Sequence, residues 1–356
     1  MERRASKKIK VGNIYVGGDS RISVQSMTNT DSASFADTYS QIKRLEKAGC
    51  DIVRMTVPDL EAVRTVGRLK ESDVSIPIVA DIHFDYKMAI EAANAGADKI
   101  RINPGNIGGE DRVKAVVDAC RQKSIPIRIG VNSGSLEKNI LEKYGRPSGE
   151  ALAESALYHA SLLEKFDFTD IILAVKSSRV ADMVKANRIL AGKCEYPLHL
   201  GVTEAGTVHK GVIKSAAGIG SLLLDGIGDT VRVSLTADPV EEIKEGKAIL
   251  SSLGLAEEKG INIISCPTCG RTKIDIIGIA NEFEKRAASI DCVNRLDVAI
   301  MGCVVNGPGE AKECDIGIAG GVGEAVLFKK GQIIRKIPED RIIDELIDEI
   351  KKMQIR

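Results

Sequence analysis

Short apolar runs rich in Val and Ile recur along the first two thirds of the chain, each followed by a polar or glycine-bearing loop and a segment of helical composition. The runs are "RISVQSM", "DIVRMTV", "PIVADI", "DKIRIN", "PIRIGV", "DIILAVK", "PLHLGV" and "DTVRVSL". The segments between them include "SFADTYSQIKRLEKAG", "GEALAESALYHASLLEKF" and "DPVEEIKEGKAILSSLG", and several end in glycine, where a helix C-terminal cap belongs. Eight strand–helix alternations in about 230 residues match the count and length of a (β/α)8 TIM barrel, an α/β fold. A doubly wound open sheet would have fewer strands and a phosphate fingerprint after the first, so the barrel is the preferred reading.

Ahead of the first run, "IKVGNIYVGG" alternates apolar residues around Gly-Asn, which predicts a hairpin plugging the barrel floor. The polar stretch "LGLAEEKG" predicts a linker. The pattern therefore divides the chain into a barrel over 1–253, a linker over 254–262 and a small α+β domain over 263–356. In that last part "INIISC", "LDVAIMGCVV", "CDIGIAG" and "AVLFKKGQIIRKI" alternate with two helices.

Four of the eight runs carry an arginine amid apolar residues: Arg54, Arg101, Arg128 and Arg232. Strand side chains alternate faces, so Arg101 shares a face with Asn103, Arg128 with Gly130 and Asn132, and Arg232 with Ser234 and Thr236. These faces point into the barrel near the strands' C-terminal ends, the mouth where such barrels hold their active sites. An unpaired buried charge costs several kcal/mol, so the arginines need anions. Asp81, Glu204 and Asp229 could pair with them internally. The alternative is a polyanionic substrate gripped by bidentate Arg–phosphate bonds, with Lys176 as a fifth cation and a diphosphate as the natural size. Asp81 and His83 in "ADIHF" and Glu204 in "LHLGVTEAG" are further mouth candidates, with Asp81 placed to orient His83.

The chain has 356 residues, 44% hydrophobic, with a formal net charge of zero, so no global field favours nucleic acid or an anionic membrane as a partner. No apolar run approaches the roughly 20 residues that cross a bilayer, and "MERRASKKIK" lacks a signal-peptide h-region, so a cytoplasmic protein is expected. "GIGSLLLDGIG" and "GGVGEA" do not complete G-x-G-x-x-G, and no Walker A pattern occurs, so no nicotinamide, flavin or nucleotide site is expected.

Eight cysteines in a cytoplasmic chain do not predict a disulfide framework. Cys50, Cys120 and Cys194 are scattered through the barrel and read as inert buried thiols. Cys266, Cys269, Cys292, Cys303 and Cys314 crowd into one short stretch. "CPTC" with a further cysteine on a second turn suits zinc or an iron–sulfur cluster equally by spacing. The "NGPGE" turn after Cys303 shifts the balance. Its glycines and proline let backbone approach a bulky group and return Glu310 toward Cys303. Three thiolates and a carboxylate suit a cluster whose one iron carries a harder, exchangeable ligand better than structural zinc.

Together "CPTCGR", "MGCVVNGPGEA", "RINPGN", "VKSS" and "LGVTEAG" resemble the 4-hydroxy-3-methylbut-2-enyl diphosphate synthase family, in its two-domain bacterial form, from about residue 9 onward. The resemblance implies a barrel followed by a 4Fe–4S domain similar to those of sulfite and nitrite reductases. It implies reductive ring opening of 2-C-methyl-D-erythritol 2,4-cyclodiphosphate, one 4Fe–4S cluster per chain, and cluster ligation by Cys266, Cys269, Cys303 and Glu310. It implies diphosphate contacts from Arg54, Arg101, Arg128, Asn132, Lys176, Arg232 and Ser234, and mouth groups Asp81, His83, Thr203 and Glu204. Cys292 and Cys314 fall outside its ligand pattern and read as bystanders. With no flavin or nicotinamide site expected, electrons come from ferredoxin or flavodoxin.

The last barrel helix delivers the chain to the floor, and a linker of about nine residues spans at most ~30 Å. A homodimer in which each cluster domain caps its partner's barrel resolves this, and the resemblance implies the same. Two rival readings remain at this point: a pterin-type methyltransferase barrel with a zinc appendage, and a zinc-stabilised binding module without turnover.

Overall fold

An antiparallel hairpin of β1 (Ile9–Val11) and β2 (Ile14–Val16) precedes eight parallel strands. These are β3 (Ser23–Met27), β4 (Ile52–Thr56), β5 (Ile78–Asp81), β6 (Lys99–Ile102), β7 (Ile127–Asn132), β8 (Ile171–Lys176), β9 (His199–Leu200) and β10 (Thr230–Val231). Their order is β8-β7-β6-β5-β4-β3-β10-β9, and a parallel bridge between Leu173 and Leu198 closes the ring. The computed structural model describes residues 2–256, 260–287, 290, 292, 294–304 and 311–354. The chain forms two compact units that divide between Ala256 and Glu257.

Between the strands run α1 (Phe35–Lys47), α2 (Leu60–Lys70), α3 (Tyr86–Asn94), the short α4 (Pro104–Ile107), α5 (Glu110–Lys123), α6 (Lys138–Tyr144), α7 (Gly149–Glu164), α8 (Val180–Ala191), α9 (Val208–Leu224) and α10 (Pro239–Ser252). Side chains of Asp59, Asp85, Ser148 and Asp238 cap the starts of α2, α3, α7 and α10 by accepting from free backbone N–H groups. Strand alternation sends Val53, Met55, Ile100, Ile129 and Val175 outward, where they pack with Leu45, Val66, Val116 and Leu163 of the helices. That two-sided burial holds the ring rigid and leaves the inward face free for polar groups near its C-terminal end. At the other end Ile52, Val79 and Ile172 close over Ile9, Val11 and Val16 of the hairpin, which plugs the floor as its alternating pattern predicts.

The second unit is a five-stranded sheet of β11 (Gly260–Ser265), β12 (Arg295–Met301), β13 (Ile316–Gly320), β14 (Glu324–Lys329) and β15 (Gln332–Pro338) in that order. The first three strands are parallel and the last two form an antiparallel meander. Helices α11 (Ile276–Ala287) and α12 (Ile342–Gln354) set Phe283 and Leu346 against Val298, Ile300 and Ile318 on one face. The opposite face carries a smaller apolar group of Ala299, Met301, Cys314, Ala319 and Phe328. Among the described residues no helix is long and apolar enough to cross a membrane.

Candidate active site

A cavity of about 190 Å³ opens at the C-terminal ends of the barrel strands. It is lined by Arg54, Asp81, His83, Arg101, Arg128, Asn132, Lys176, Thr203, Arg232 and Ser234, together with Met27, Thr56, Gly130 and Ala174. All the proposed diphosphate contacts, with Asp81, His83 and Thr203, reach this cavity, whereas Glu204, Asp229, Asn103 and Thr236 are not in its lining. Glu204 is exposed beside Thr203 and takes the left-handed conformation, with φ 51°.

Asp81 is the hub of the lining. Its Oδ1 lies 2.9 Å from Arg101 Nη1 and its Oδ2 lies 3.6 Å from Arg54 Nε. Burial raises its pKa, but the guanidiniums of Arg54, Arg101 and Arg128 outweigh burial and hold it at about 2. Asp81 is therefore ionised at neutral pH and has no proton to give. His83 Nε2 sits 3.9 Å from Asp81 Oδ2, beyond hydrogen-bond reach, and its side chain is half exposed at the rim.

The cations outnumber the anions. Arg128 is wholly buried, donates from Nη1 to Gln25 Oε1 at 3.1 Å, and leaves Nε and Nη2 without a hydrogen-bond partner among the described residues. Burial and then the neighbouring arginines push its titration well down, and Lys176 is depressed in the same way. Burial lowers Arg54 to about 10, so it stays protonated at neutral pH. Such a set is stable only beside negative charge, and Asp81 is the one carboxylate in the described lining. Asp229, a possible counter-ion by sequence, instead pairs with Arg3 and Arg4 of the N-terminal arm.

Two glycines make the cationic geometry possible. A Cβ on Gly130 would meet Arg101 Nε at 2.3 Å, so the missing side chain leaves room for the guanidinium over β7. A Cβ on Gly201 would lie 2.7 Å from the Arg232 carbonyl oxygen and 3.2 Å from Lys176 Nζ. Other contributors escaped the sequence reading. Glu242 of α10 is buried and grips Arg232 at both ends, accepting from Nε and Nη2 at 3.1 Å each. Met27 Sδ accepts from Arg54 Nε at 3.1 Å and Nη2 at 2.8 Å. Nothing in the helical run "DPVEEIKEG" tells Glu242 from its acidic neighbours, because the register of α10 on β3 and β10 selects it.

In the second unit the thiols follow two adjacent parallel strands. Cys266 comes directly after β11 and Cys303 two residues after β12, with Cys269 exposed on the turn between Cys266 and α11. Gly302 N–H donates to Cys266 Sγ at 3.2 Å, and Lys273 N–H donates to the Gly302 carbonyl at 3.1 Å, stitching the two turns together. The Arg271 backbone N–H, then its guanidinium, lowers the Cys269 thiol below its ordinary range and favours the thiolate that a metal takes. An N–H bond on one sulfur, an acid-shifted second thiol and soft donors on neighbouring strand ends fit an iron–sulfur group. Glu310 lies outside the described residues, and among those described no three His, Cys, Asp or Glu side chains form a ready metal group. Cys292 and Cys314 are buried. In the barrel, burial raises Cys50 and Cys120 to about 12, which makes them inert as expected. Cys194 departs from that expectation because it is only half-buried, although burial still raises its thiol.

Fold and mouth define a (β/α)8-barrel protein with a cation-rich cavity at the C-terminal ends of its strands, and a second unit that presents thiols at its strand ends. The chain belongs to the GcpE family: residues 6–247 match the GcpE TIM-barrel domain and residues 262–352 the GcpE protein C-terminal domain. It is 60% identical over 353 residues to the 4-hydroxy-3-methylbut-2-en-1-yl diphosphate synthase (flavodoxin) of Ruminiclostridium cellulolyticum, covering 99% of both chains. It is 59% identical over 347 residues to the protein of that name from Clostridium perfringens, covering 98% of both. Among solved structures, the Yersinia pestis dihydropteroate synthase covers 70% of this chain and 99% of its own at 14% identity, with a TM-score of 0.49. A likeness at that level carries no argument about function.

Proposed function

We propose that this chain reductively opens 2-C-methyl-D-erythritol 2,4-cyclodiphosphate to 4-hydroxy-3-methylbut-2-enyl diphosphate, taking up two electrons and releasing water. The observation that carries this reading is the surplus of buried cations around one small cavity with a single lining carboxylate. Arg54, Arg101, Arg128, Lys176 and Arg232 neutralise the diphosphate, while Asn132 and Ser234 fix its orientation. Asp81 stays ionised and aims Arg54 and Arg101 rather than passing protons. His83 lines the mouth and is half exposed, and Glu204 is exposed next to Thr203, so these two rim groups are the candidates for moving protons.

One 4Fe–4S cluster per chain, held by Cys266, Cys269, Cys303 and Glu310, would supply electrons singly and a Lewis acid for the departing oxygen. The relatives' names favour flavodoxin over ferredoxin as donor, and the setting is the cytoplasm. The working unit is a homodimer whose sites pair one chain's barrel with the partner's thiol-bearing unit. Supporting this, α10 runs antiparallel to the strands and ends at the plugged floor, only a short stretch of chain before β11.

The test is anoxic purification with iron, sulfide and zinc analysis, followed by turnover of the cyclodiphosphate with reduced flavodoxin. About four iron and four sulfide per chain, with turnover abolished in Cys303→Ala, is the expected outcome. Stoichiometric zinc without iron from an anoxic preparation would overturn the reading in favour of the methyltransferase or binding-module alternatives.

A further inference from the structure

Beneath the cavity lies a titratable group for which the diphosphate reading has no use. Lys99 opens β6 two residues before Arg101, so both side chains point inward. Lys99 is wholly buried, and its Nζ finds no hydrogen-bond partner among the described residues. The floor is sealed below it: Val79 pairs with it across the sheet and packs with Ile52, Ile172 and the hairpin residues Ile9, Val11 and Val16.

Among the polar neighbours at this depth, the Arg128 guanidinium and the Gln25 amide nitrogen are donors. From β7 comes Arg128, and from β3 Gln25, whose oxygen already serves Arg128 and whose Nε2 is unpartnered. From β9 comes His199, whose Nδ1 shares a hydrogen bond with Thr230 Oγ1 of β10 and whose Nε2 has no partner among the described residues. Toward the mouth stand Arg54 on β4, Arg101 on β6, Lys176 on β8 and Arg232 beyond β10. Two carboxylates are near. Asp81 on β5 is committed to Arg54 and Arg101, and Asp98 accepts instead from Lys70 Nζ and the Ile78 N–H. An ammonium here would be desolvated, unpaired and repelled from several sides. Burial first, then Arg128 and Arg54, push the Lys99 titration well below the ordinary lysine range.

We propose that Lys99 is an uncharged amine in the free protein and takes one proton from solvent when a diphosphate fills the mouth, so that substrate binding and protonation are one event. The proposal rests on the reading of the mouth as a diphosphate site. The balance is simple: the amine gains a proton, and no other bond changes. The bound anion cancels the arginine repulsion across an interior where charges act at longer range than in water. The barrel thereby gains a further cation only when loaded and need not fold around it. Because the complex holds the extra proton, affinity falls as pH rises between the titration points of the free and loaded states.

The experiment is calorimetric titration of the cyclodiphosphate into the anoxic, cluster-loaded protein without reductant, in two buffers of different ionisation enthalpy near pH 8. The cyclic diphosphate's own acidic groups are fully ionised there and contribute no proton. We expect uptake of at least one proton by the wild type, because Lys176 in the mouth is depressed by the same surroundings, and an affinity that weakens by up to about tenfold per pH unit for each proton taken up. Lys99→Met should bind with about one proton fewer and a flatter pH profile. It should melt at or above the wild-type temperature, because an apolar chain of similar length replaces a buried amine. Binding by the wild type with no proton uptake overturns the proposal, and that arm needs no variant. Equal uptake by Lys99→Met also overturns it while leaving the diphosphate mouth intact. Absence of any binding overturns both.

Discussion

Asp81 shows how one residue can serve fold and site together. Its carboxylate is buried, yet three guanidiniums keep its pKa at about 2 against an unfolded value of 3.8. A depressed folded pKa contributes stability that is fully present above the unfolded value and is lost as pH falls toward the folded one. The shift corresponds to about 2 kcal/mol at neutral pH. Asp81→Asn should therefore be less stable than wild type by about that free energy between pH 5 and pH 7, read from a lower urea midpoint. The gap should narrow as pH drops below about 4. A gap that is unchanged down to pH 3 in urea titrations would mean that the carboxylate's charge is not what holds the arginines. Met27 plays a quieter part, accepting from Arg54 with a neutral sulfur and adding no charge to a lining that must still attract an anion.

Elements matter where a helix reaches through the strand layer. The α10 residue Glu242 binds Arg232 with both oxygens and also accepts from Ser26 Oγ at 2.7 Å and the Leu235 N–H at 3.1 Å. One carboxylate thus locks β3, the end of β10 and the α10 start into one register. Glu242→Gln keeps the shape but weakens the charge-assisted grip on Arg232. It should raise KM for the cyclodiphosphate about tenfold with kcat changed less than about threefold, since uniform binding is what is lost. Steady-state kinetics check this, and an equal fall in kcat with KM unchanged would assign Arg232 to the chemical step instead. At the same scale, Gly130 shows a strand giving up a side chain so that its neighbour's guanidinium can pass.

At the scale of the whole molecule, the proposed dimer makes a quantitative prediction. Arg101→Met disables a barrel and Cys303→Ala disables a thiol-bearing unit. After full subunit exchange, half the dimers are mixed. If sites form between chains, each mixed dimer has one intact site, so the mixture should recover about one quarter of wild-type activity. Sites formed within a chain would recover none. The assay is turnover of an exchanged mixture, with exchange verified by differently tagged chains.

The alternation of apolar runs and helical segments determined the eight barrel strands, the floor hairpin and the second sheet. Those features follow from local periodicity, because each strand or helix must bury one face whatever its neighbours are. The same two-residue period put Arg54, Arg101, Arg128, Lys176 and Arg232 on the inward face, so most of the mouth is legible in the sequence. Tertiary structure alone decided how those charges are balanced. Asp229 proved to serve the N-terminal arm, whereas Glu242, some ten residues beyond Arg232 and on a helix, became its partner. Lys99 looked like an ordinary lysine at a strand start until the closed floor removed its water. Charge pairing and desolvation depend on which residues come close in space, and one-dimensional spacing does not carry that information.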